Sequence, residues 1–338
     1  MTTWVLIRKL LRDIRWGLLV TAFLLAAFQC LWVKITQRTA TQMAPMFQSM
    51  ARMRGMDVKE LERRVLSGPG RVMQSLIGGE QMRFDRAMDV LALGYIHPLM
   101  QVIFCLWAIG RAAGAVAGEL DRGTMELLLA QPLPRSRVIL SHFLVDLIVI
   151  PIVCLSLWGG LSLGVWLVGP LKVDPEAQQD IPLAADVDPR IAAFAKANMP
   201  PPGPADSERL KIDRLAFGLP LLNVAALIFA ISGTTMWLSS AGRFRWRTIG
   251  YAALVMLVQF ILNVIGGMID SLAFLRLFSV FYYYQPQHIA LHHQWNASLA
   301  PLGISGGVPV LLVLFGIGLL GYLLAWRTFK RRDLPAPL

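Results

Sequence analysis

Three histidines near the end of the chain form the pattern with the clearest potential for chemistry. His288, His292 and His293 follow an HxxxHH spacing, and a four-residue step brings two imidazoles to one face of a helix. Because imidazole is a common metal ligand, a membrane-embedded, metal-dependent oxidoreductase that uses this cluster is one alternative. The chain has only five histidines, however, and the other two lie far away in the sequence. We therefore interpret the cluster as an interfacial polar group.

A stripe of methionines marks the first long polar segment. Thioether sulfur is a ligand for Cu(I), but the same helical spacing serves ordinary packing against other outer loops or a partner subunit. Packing is the interpretation that we prefer, so we assign no metal site to the stripe. Its members recur at three- and four-residue steps: Met43, Met46, Met50 and Met53.

The sequence contains no site for chemistry on nucleotides. No GxxxxGK[ST] loop occurs, so the chain is not expected to cradle phosphates or to hydrolyse ATP alone. We assign it no catalytic residue, no cofactor and no metal. Its cysteines lack a CxxC spacing and fall in three different apolar segments, where thiols behave as small hydrophobes. They are Cys30, Cys105 and Cys154.

Composition predicts an all-α protein that crosses a membrane several times. Hydrophobic residues make up 56% of the chain and charged residues 16%, whereas a soluble domain carries about a quarter charged residues. A helix needs about 20 apolar residues to cross about 30 Å of hydrocarbon. Six windows of a single transmembrane domain, residues 1–338, meet this requirement: 16–33, 90–110, 143–168, 215–240, 248–269 and 308–326.

The first residues predict an amphipathic elbow helix over 1–15, lying in the membrane interface before the first span. Apolar residues occupy one helical face and basic residues the other, as in interfacial helices. Basic residues also cluster after the fourth and sixth spans. Under the positive-inside rule, both termini of this multi-pass protein are predicted in the cytoplasm, with the chain in the plasma (inner) membrane. The net charge of +11 then reflects anionic lipid and requires no nucleic acid.

Two polar positions inside the spans have ordinary structural explanations. Asp146 lies about one turn from the cytoplasmic end of the third span, where pairing with an arginine or with backbone amides is expected. His97 precedes Pro98 in the second span, and proline both lacks an N–H and disfavours helical geometry in its predecessor. A kink with a locally satisfied imidazole is therefore predicted.

Three connections are predicted on the outer side of the membrane. Residues 37–86 and 169–214 are long, and the second is proline-rich, so both are predicted to be extracytoplasmic loops. The third connection, residues 270–307, contains the aromatic run FYYY at 281–284. We interpret it as short re-entrant helices that dip into the outer leaflet and are anchored by an aromatic belt.

The cytoplasmic region 111–142 contains the most informative segment, residues 118–137, GELDRGTMELLLAQPLPRSR. It predicts one short helix whose first turn is capped by Asp121 or Thr124 and whose end is set by prolines. Met125 and residues 127–129 form an apolar patch outside the predicted spans. The patch is either a docking surface for a soluble partner or the lipid-facing side of an interfacial helix.

This segment resembles the intracellular signature of type-2 ATP-binding-cassette (ABC) transporter permeases. That signature has an acidic residue, then Gly-Thr-Leu-Glu-Leu-Leu-Leu, a short gap, a proline and a basic segment that opens the third span. Glu119, 123–132 and 135–137 match it, with Met125 in place of the usual leucine. The elbow helix, the six spans and the re-entrant helices agree with the architecture of these permeases. The two long outer loops are closer in character to the nitrous-oxide-reductase maturation branch.

The resemblance implies a transport subunit without its own ATPase site. Two permease copies, identical or related, would pair in the membrane, and each would rest its coupling helix in a groove of a separate ATPase that holds ATP and Mg²⁺. ATP would then drive movement, most simply export, of a substrate that no residue identifies. A non-transport membrane scaffold is a further alternative. The residues assigned to coupling are Glu119, Gly123, Thr124, Glu126, Leu127, Leu128, Pro132 and Arg135.

Overall fold

The computed structural model describes residues 3–43, 86–130, 134–171 and 209–332. Six segments in this part of the chain are long and apolar enough to cross a membrane, in agreement with the all-α polytopic fold predicted from the sequence. The second span consists of two helices, and each of the others has one main helix. In chain order these helices are α1 (Thr3–Arg38), α2 (Ala87–Ile96) with α3 (Pro98–Ala113), α6 (Arg135–Val168), α7 (Leu221–Ala241), α8 (Arg245–Met268) and α10 (Val310–Arg331).

Short elements connect the spans. A π-helical turn, Thr39–Met43, follows α1. A 3₁₀ turn at Leu215–Phe217 begins the fourth span, and two more, Asp270–Phe278 and Ala300–Leu302, lie in the last outer connection. Two short helices separate the second and third spans: α4 (Ala117–Asp121) and α5 (Thr124–Leu129). Helix α9 (Pro286–His292) and an antiparallel pair of strands, β1 (Asn296–Ser298) and β2 (Gly307–Pro309), precede the last span.

With six crossings, one side of the bundle carries both ends of the chain. We call it the terminal face; it contains the start of α1, the end of α3, the start of α6, the link from α7 to α8 and the end of α10. Helices α4 and α5 also belong to it, because they connect α3 to α6. The opposite side, with α9 and the strand pair, is called the outer face.

The first span has no boundary between an elbow and a membrane helix. Helix α1 runs without interruption from Thr3 to Arg38, whereas the sequence predicts an elbow over 1–15 and a span over 16–33. A 36-residue helix is about 54 Å long at 1.5 Å per residue, and about 30 Å of hydrocarbon contains only part of it. Of its exposed tryptophans, Trp4 lies in the predicted elbow and Trp16 is the first residue of the predicted span, so the amphipathic start continues straight into the membrane helix.

Helices α6 and α7 form the centre of the bundle, since they are the most buried spans, whereas α1 and α8 are the least buried. Helix α7 packs most closely on α10. A Cβ added to Gly233 would lie 2.2 Å from the carbonyl oxygen of Gly318. Such a short separation leaves no room for a side chain, so the two backbones can approach each other only because both positions are glycine.

The second span is broken at His97 and Pro98, which confirms the predicted kink. His97 has an extended ψ of 134°, the conformation that a following proline favours. Its Nδ1 accepts a hydrogen bond from the backbone N–H of Leu99 at 3.2 Å. The imidazole therefore caps the start of α3 and is satisfied locally.

Side chains satisfy the carbonyls that the break leaves without a helical partner. The amide of Gln101 donates to the carbonyl oxygen of Ile96 at 2.7 Å, and the hydroxyl of Tyr284 donates to that of Tyr95 at 2.6 Å. Unpaired backbone groups are costly away from water. These two bonds stabilise the interrupted helix inside the bundle.

The aromatic run at 281–284 lies inside the protein, so the predicted lipid-facing belt is wrong. All four side chains are buried, with exposed fractions of 8% or less. Asn223 of α7 fixes this turn, since its Nδ2 donates to the carbonyl of Tyr283 at 3.0 Å and its Oδ1 accepts from the N–H of Gln285 at 2.8 Å. The run contacts α2, α3 and α7, and hydropathy alone does not distinguish lipid from the protein interior.

Candidate functional site

The signature segment forms two short helices rather than the single helix predicted. Helices α4 and α5 are separated by Gly123, whose φ of 71° is left-handed. This conformation is strained for residues with a Cβ. Gly123 itself occupies the N-cap position of α5, and no side chain caps that end, so the predicted capping by Asp121 or Thr124 is wrong.

Two residues of the segment contact the carboxylate of Glu119 at this turn. The hydroxyl of Thr124 donates to the carboxylate of Glu119. Arg122 forms an ion pair with the same carboxylate at 2.8 Å. Arg122 is about half exposed, at 54%, whereas Glu119 is mostly buried, at 18%. Glu119 therefore holds the two sides of the turn together, and this fixes the angle between α4 and α5.

The predicted apolar patch has lost one of its members. Met125 is only 1% exposed and belongs to the main hydrophobic core, so it anchors α5 to the bundle and cannot contact a soluble partner. The side chains of Leu127, Leu128 and 129 lie outside the described residues. Toward solvent the segment presents charged residues: Asp121, Arg122 and Glu126.

Ser239 of α7 joins the segment to the fourth span. Its Oγ accepts hydrogen bonds from the backbone N–H groups of Val116 at 3.2 Å and Ala117 at 3.0 Å, and donates to the carbonyl of Ala113 at 3.2 Å. A hydroxyl has one donor and two acceptor sites, so Ser239 is fully used. It satisfies the end of α3 and the start of α4 at the same time.

Arg245, the first residue of α8, lies against the same junction. Its guanidinium donates to the carbonyl of Gly110 at 3.3 Å. A Cβ on Gly118 would lie 3.4 Å from its Cδ, which places the stem of the arginine directly on α4. The segment therefore contacts the terminal-face ends of both the fourth and the fifth spans.

A buried charged cluster lies just inside this junction. Arg111, near the end of α3, forms an ion pair with Asp146 of α6, and the two side chains are 4% and 0% exposed. The hydroxyl of Tyr322 in α10 donates to the same carboxylate. Arg111 also donates to the carbonyl of His142 at 3.3 Å. The expected pairing of Asp146 with an arginine is confirmed.

Helix α6 is longer than the predicted third span. It begins at Arg135, eight residues before that span, so Asp146 lies about three turns from the start of the helix. The basic residues 135–137 are therefore helical, and the sequence places the start of the helix too late because charges do not stop a helix that leaves the membrane.

Arg135 and Arg332 form a second connection on the terminal face. The guanidinium of Arg135 donates to the carbonyl of Arg332. Arg332 in turn donates to the carbonyls of Ser240 at 2.9 Å and Gly242 at 2.8 Å, where α7 ends. Partial burial and the nearby charge of Arg243 lower the pKa of Arg332, but a guanidinium stays charged at neutral pH. The ends of the third, fourth and sixth spans are thus joined.

The histidine cluster has little of the geometry that a metal needs. The rings of His288 and His292 are 6.2 Å apart on α9, and His293 follows in a left-handed turn with φ of 52°. Among the described residues, no group of three or more His, Cys, Asp or Glu side chains is arranged to hold a metal. The oxidoreductase alternative therefore gains no support. Met46, Met50 and Met53 of the methionine stripe lie outside the described residues.

The structure brings together only part of the predicted set. Glu119, Gly123 and Thr124 form the turn, and Glu126 is exposed beside it. Arg135 lies apart from them, bonded to the end of α10. Pro132 lies outside the described residues. Sequence reasoning missed four residues that join the spans near the terminal face, because each acts through contacts distant in sequence: Arg111, Ser239, Tyr322 and Arg332.

The described part of the chain is thus a polytopic helical bundle with an anchored, charged segment between its second and third spans. A family model described as ABC-2 family transporter protein matches residues 6–193, just over half of the chain. The chain therefore belongs to the ABC-2 transporter family and is a membrane permease subunit, a class that works with an ATPase subunit. Searches of curated proteins and of solved structures give no match.

Proposed function

We propose that α4 and α5 are the element through which this permease is driven by a separate ATPase in the cytoplasm. The observation that carries the proposal is the two-sided character of the segment. One side is attached to the bundle by hydrogen bonds to Ser239 and by the burial of Met125 in the hydrophobic core. The other side exposes Asp121, Arg122 and Glu126. A lever needs both a firm attachment and a free contact surface.

The residues of the segment then divide into two roles. Glu119, Gly123 and Thr124 set the shape of the turn. Glu126, with Leu127 and Leu128 of the sequence signature, contacts the ATPase. Pro132 and Arg135 lead into the third span and, in our proposal, pass the movement to α6. ATP and Mg²⁺ are bound by the ATPase, and the permease itself performs no hydrolysis.

The wider assembly is also part of the proposal. A second permease copy, identical or related, pairs with this chain, so that two coupling segments meet two ATPase subunits. Both termini are cytoplasmic, because basic residues crowd the helix ends of the terminal face. The transported substrate moves outward. The relation to the nitrous-oxide-reductase maturation branch rests on the lengths of the loops 37–86 and 169–214, and it stays a prediction.

Charge reversal on the exposed side of the segment tests this proposal. Tagged permease is purified from native membranes, and mass spectrometry identifies a co-purifying subunit with a phosphate-binding loop. Glu126→Lys and Leu128→Asp should be expressed and inserted normally but should lose that subunit, because an uncompensated charge in a buried contact opposes association. Lys211→Glu reverses the charge of an exposed residue on the outer face, just before the fourth span, and is the matched control.

The outcomes separate the alternatives. Loss of the ATPase in the two segment variants and its retention in Lys211→Glu would support docking through α5. Full retention in all three would show that the segment merely rests on lipid. Purified wild-type protein that carries iron or copper and no ATPase would favour the oxidoreductase, and one that carries neither would favour a scaffold.

A further inference from the structure

We propose that Arg111, Asp146 and Tyr322 form a positioning cluster that makes the second, third and sixth spans move as one body when the coupling segment moves. The inference rests on the proposed function, because it assumes that α4 and α5 are pushed by an ATPase. It assigns no contact with substrate to these residues. Their role is to hold three helices in a fixed mutual orientation.

The position of Arg111 is the first reason. It lies two residues before the end of α3, and Ser239 binds the backbone of the junction that follows directly. Any displacement of α4 therefore reaches Arg111 before it reaches the rest of the second span. From there the guanidinium contacts α6, through Asp146 and the carbonyl of His142, and the hydroxyl of Tyr322 in α10 at 3.4 Å.

The second reason is that α6 and α10 are joined at two points. One is the bond from Tyr322 to Asp146, and the other is the bond from Arg135 to the carbonyl of Arg332. The separation between the points is 11 residues along α6 and 10 along α10, or about 15 Å of helix. One attachment acts as a pivot, whereas two attachments at this separation prevent the helices from turning against each other.

Packing around the cluster adds to this restraint. The ring of Tyr322 lies edge-on to Phe143 of α6, with ring centroids 5.3 Å apart, and stacks on Phe229 of α7 at 5.5 Å. The hydroxyl is thus held where it meets the carboxylate, and a rotation of α10 would remove both the ring contacts and the hydrogen bond. Aromatic pairs favour particular orientations, and the planar guanidinium bound to a carboxylate adds a second geometric restraint.

The third reason is that stability does not explain the charges. Burying an ion pair carries a large desolvation cost, and apolar residues of similar volume often stabilise a protein as well or better. Within the described part of the chain, Nε of Arg111 and Oδ1 of Asp146 have no hydrogen-bond partner, so the pair is not even fully satisfied. A cluster that is costly and incomplete, and that lies between three moving helices, is better explained by the orientation it imposes.

Simultaneous replacement of both members of the ion pair distinguishes a positioning role of the cluster from a contribution to protein stability. Asp146→Asn and Tyr322→Phe each remove part of the cluster, and the double variant R111M/D146L replaces the ion pair by apolar side chains. Tyr284→Phe is the matched control, because it also deletes a buried tyrosine hydrogen bond, but on the outer face. Each permease is purified with its ATPase, and retention of the ATPase and the rate of ATP hydrolysis are measured.

Distances between spans supply the direct readout. The native cysteines are replaced first, and spin labels are attached at Leu106 of α3 and Leu323 of α10, which are 70% and 52% exposed. When the cluster is intact, the distance between the two labels should be the same without nucleotide and in the vanadate-trapped state. The R111M/D146L variant should fold and retain the ATPase, but the distance between the labels should change with nucleotide. Permease-dependent ATP hydrolysis should fall by about fivefold or more, the factor that corresponds to the loss of a typical coupling free energy.

Each result decides the inference. If R111M/D146L hydrolyses ATP like the wild type and keeps the distance fixed, the cluster is only structural and the inference is overturned. The same holds if Tyr284→Phe uncouples as strongly as Tyr322→Phe. A wild-type permease that retains its ATPase but shows a nucleotide-dependent distance also overturns it, and leaves the proposed function intact. A wild type that retains no ATPase overturns both.

Discussion

The Oγ of Ser239 lies 3.0 Å from the backbone nitrogen of Ala117 and accepts its hydrogen. A side chain of the fourth span therefore caps α4, the first helix of the proposed coupling segment. The bond joins residues that are 122 positions apart, and neither local sequence nor helix propensity indicates it. It makes the start of α4 part of the bundle, so that force on the segment acts on α7 as well as on α3.

Ser239→Ala should destabilise the permease by about 1–3 kcal/mol, because buried backbone groups at the end of α3 and the start of α4 lose their partner. The adjacent Ser240 is the matched control. Its hydroxyl donates to the carbonyl of Met236 within its own helix, which already has a helical partner, so Ser240→Ala should be close to neutral. Thermal unfolding in detergent compares the two. Equal melting temperatures for both variants would contradict the capping role.

Arg332→Ala should loosen the terminal face, since Arg332 donates to the carbonyls of Ser240 and Gly242 and accepts a bond from Arg135 with its own carbonyl. Each hydrogen bond from a charged donor contributes about 1.5–3 kcal/mol at most, and partial exposure reduces this. Hydrogen exchange at the end of α7 should accelerate. Arg331→Ala removes the neighbouring exposed charge and is the control; acceleration in both variants alike would indicate a general charge effect.

Gly123→Ala should lower permease-stimulated ATP hydrolysis without creating a steric clash. No atom lies within 4 Å of a Cβ at this position, so the cost comes from the left-handed backbone alone, about 1 kcal/mol. Asn tolerates this conformation better than Ala, so Gly123→Asn should keep more of the permease-stimulated ATP hydrolysis.

Gly250→Ala is the control for that comparison. Gly250 is helical and also has open space around it, so alanine there should be neutral or stabilising. If Gly123→Ala and Gly250→Ala give the same ATP hydrolysis as the wild type, the angle between α4 and α5 does not matter for coupling.

The sequence predicts the spans well and the interior poorly. Six apolar windows correspond to the six long segments because crossing a bilayer requires length and hydropathy, which are local properties. Pro98 likewise fixes the break in the second span through its own covalent structure. The sequence assigns Met125 and the run at 281–284 to the surface or to lipid, but both are buried. An apolar side chain has the same hydropathy in either place, and only the packed bundle distinguishes them.

In the candidate site, too, local features can be predicted from the sequence and long-range contacts cannot. The turn from Glu119 to Thr124 is local, and Glu119, Gly123 and Thr124 belong to the signature recognised in the sequence, although the sequence predicts a single helix there. Arg111 and Tyr322 are 211 positions apart, and their common contact with Asp146 follows only from the arrangement of three helices. An arginine near the end of a span is usually an exposed residue at the membrane boundary, so the sequence does not predict that Arg111 is buried.

The last prediction concerns the orientation of the bundle in the membrane. Ser136→Cys at the start of α6 and Ser305→Cys between the strands lie on opposite faces, the terminal face and the outer face. Both are introduced after replacement of the native cysteines, which are free thiols on three spans. Because basic residues favour the cytoplasmic side, an impermeant thiol reagent should label Ser305→Cys in intact cells.

Ser136→Cys should react only after the cells are lysed. Serine at 305 is exposed and that at 136 half-buried, so labelling of lysed membranes corrects for the difference in access. The reverse pattern, with Ser136→Cys labelled in intact cells, would place α4 and α5 outside the cell. No ATP-binding partner could reach them there, so this one result would overturn the coupling role while leaving the fold unchanged.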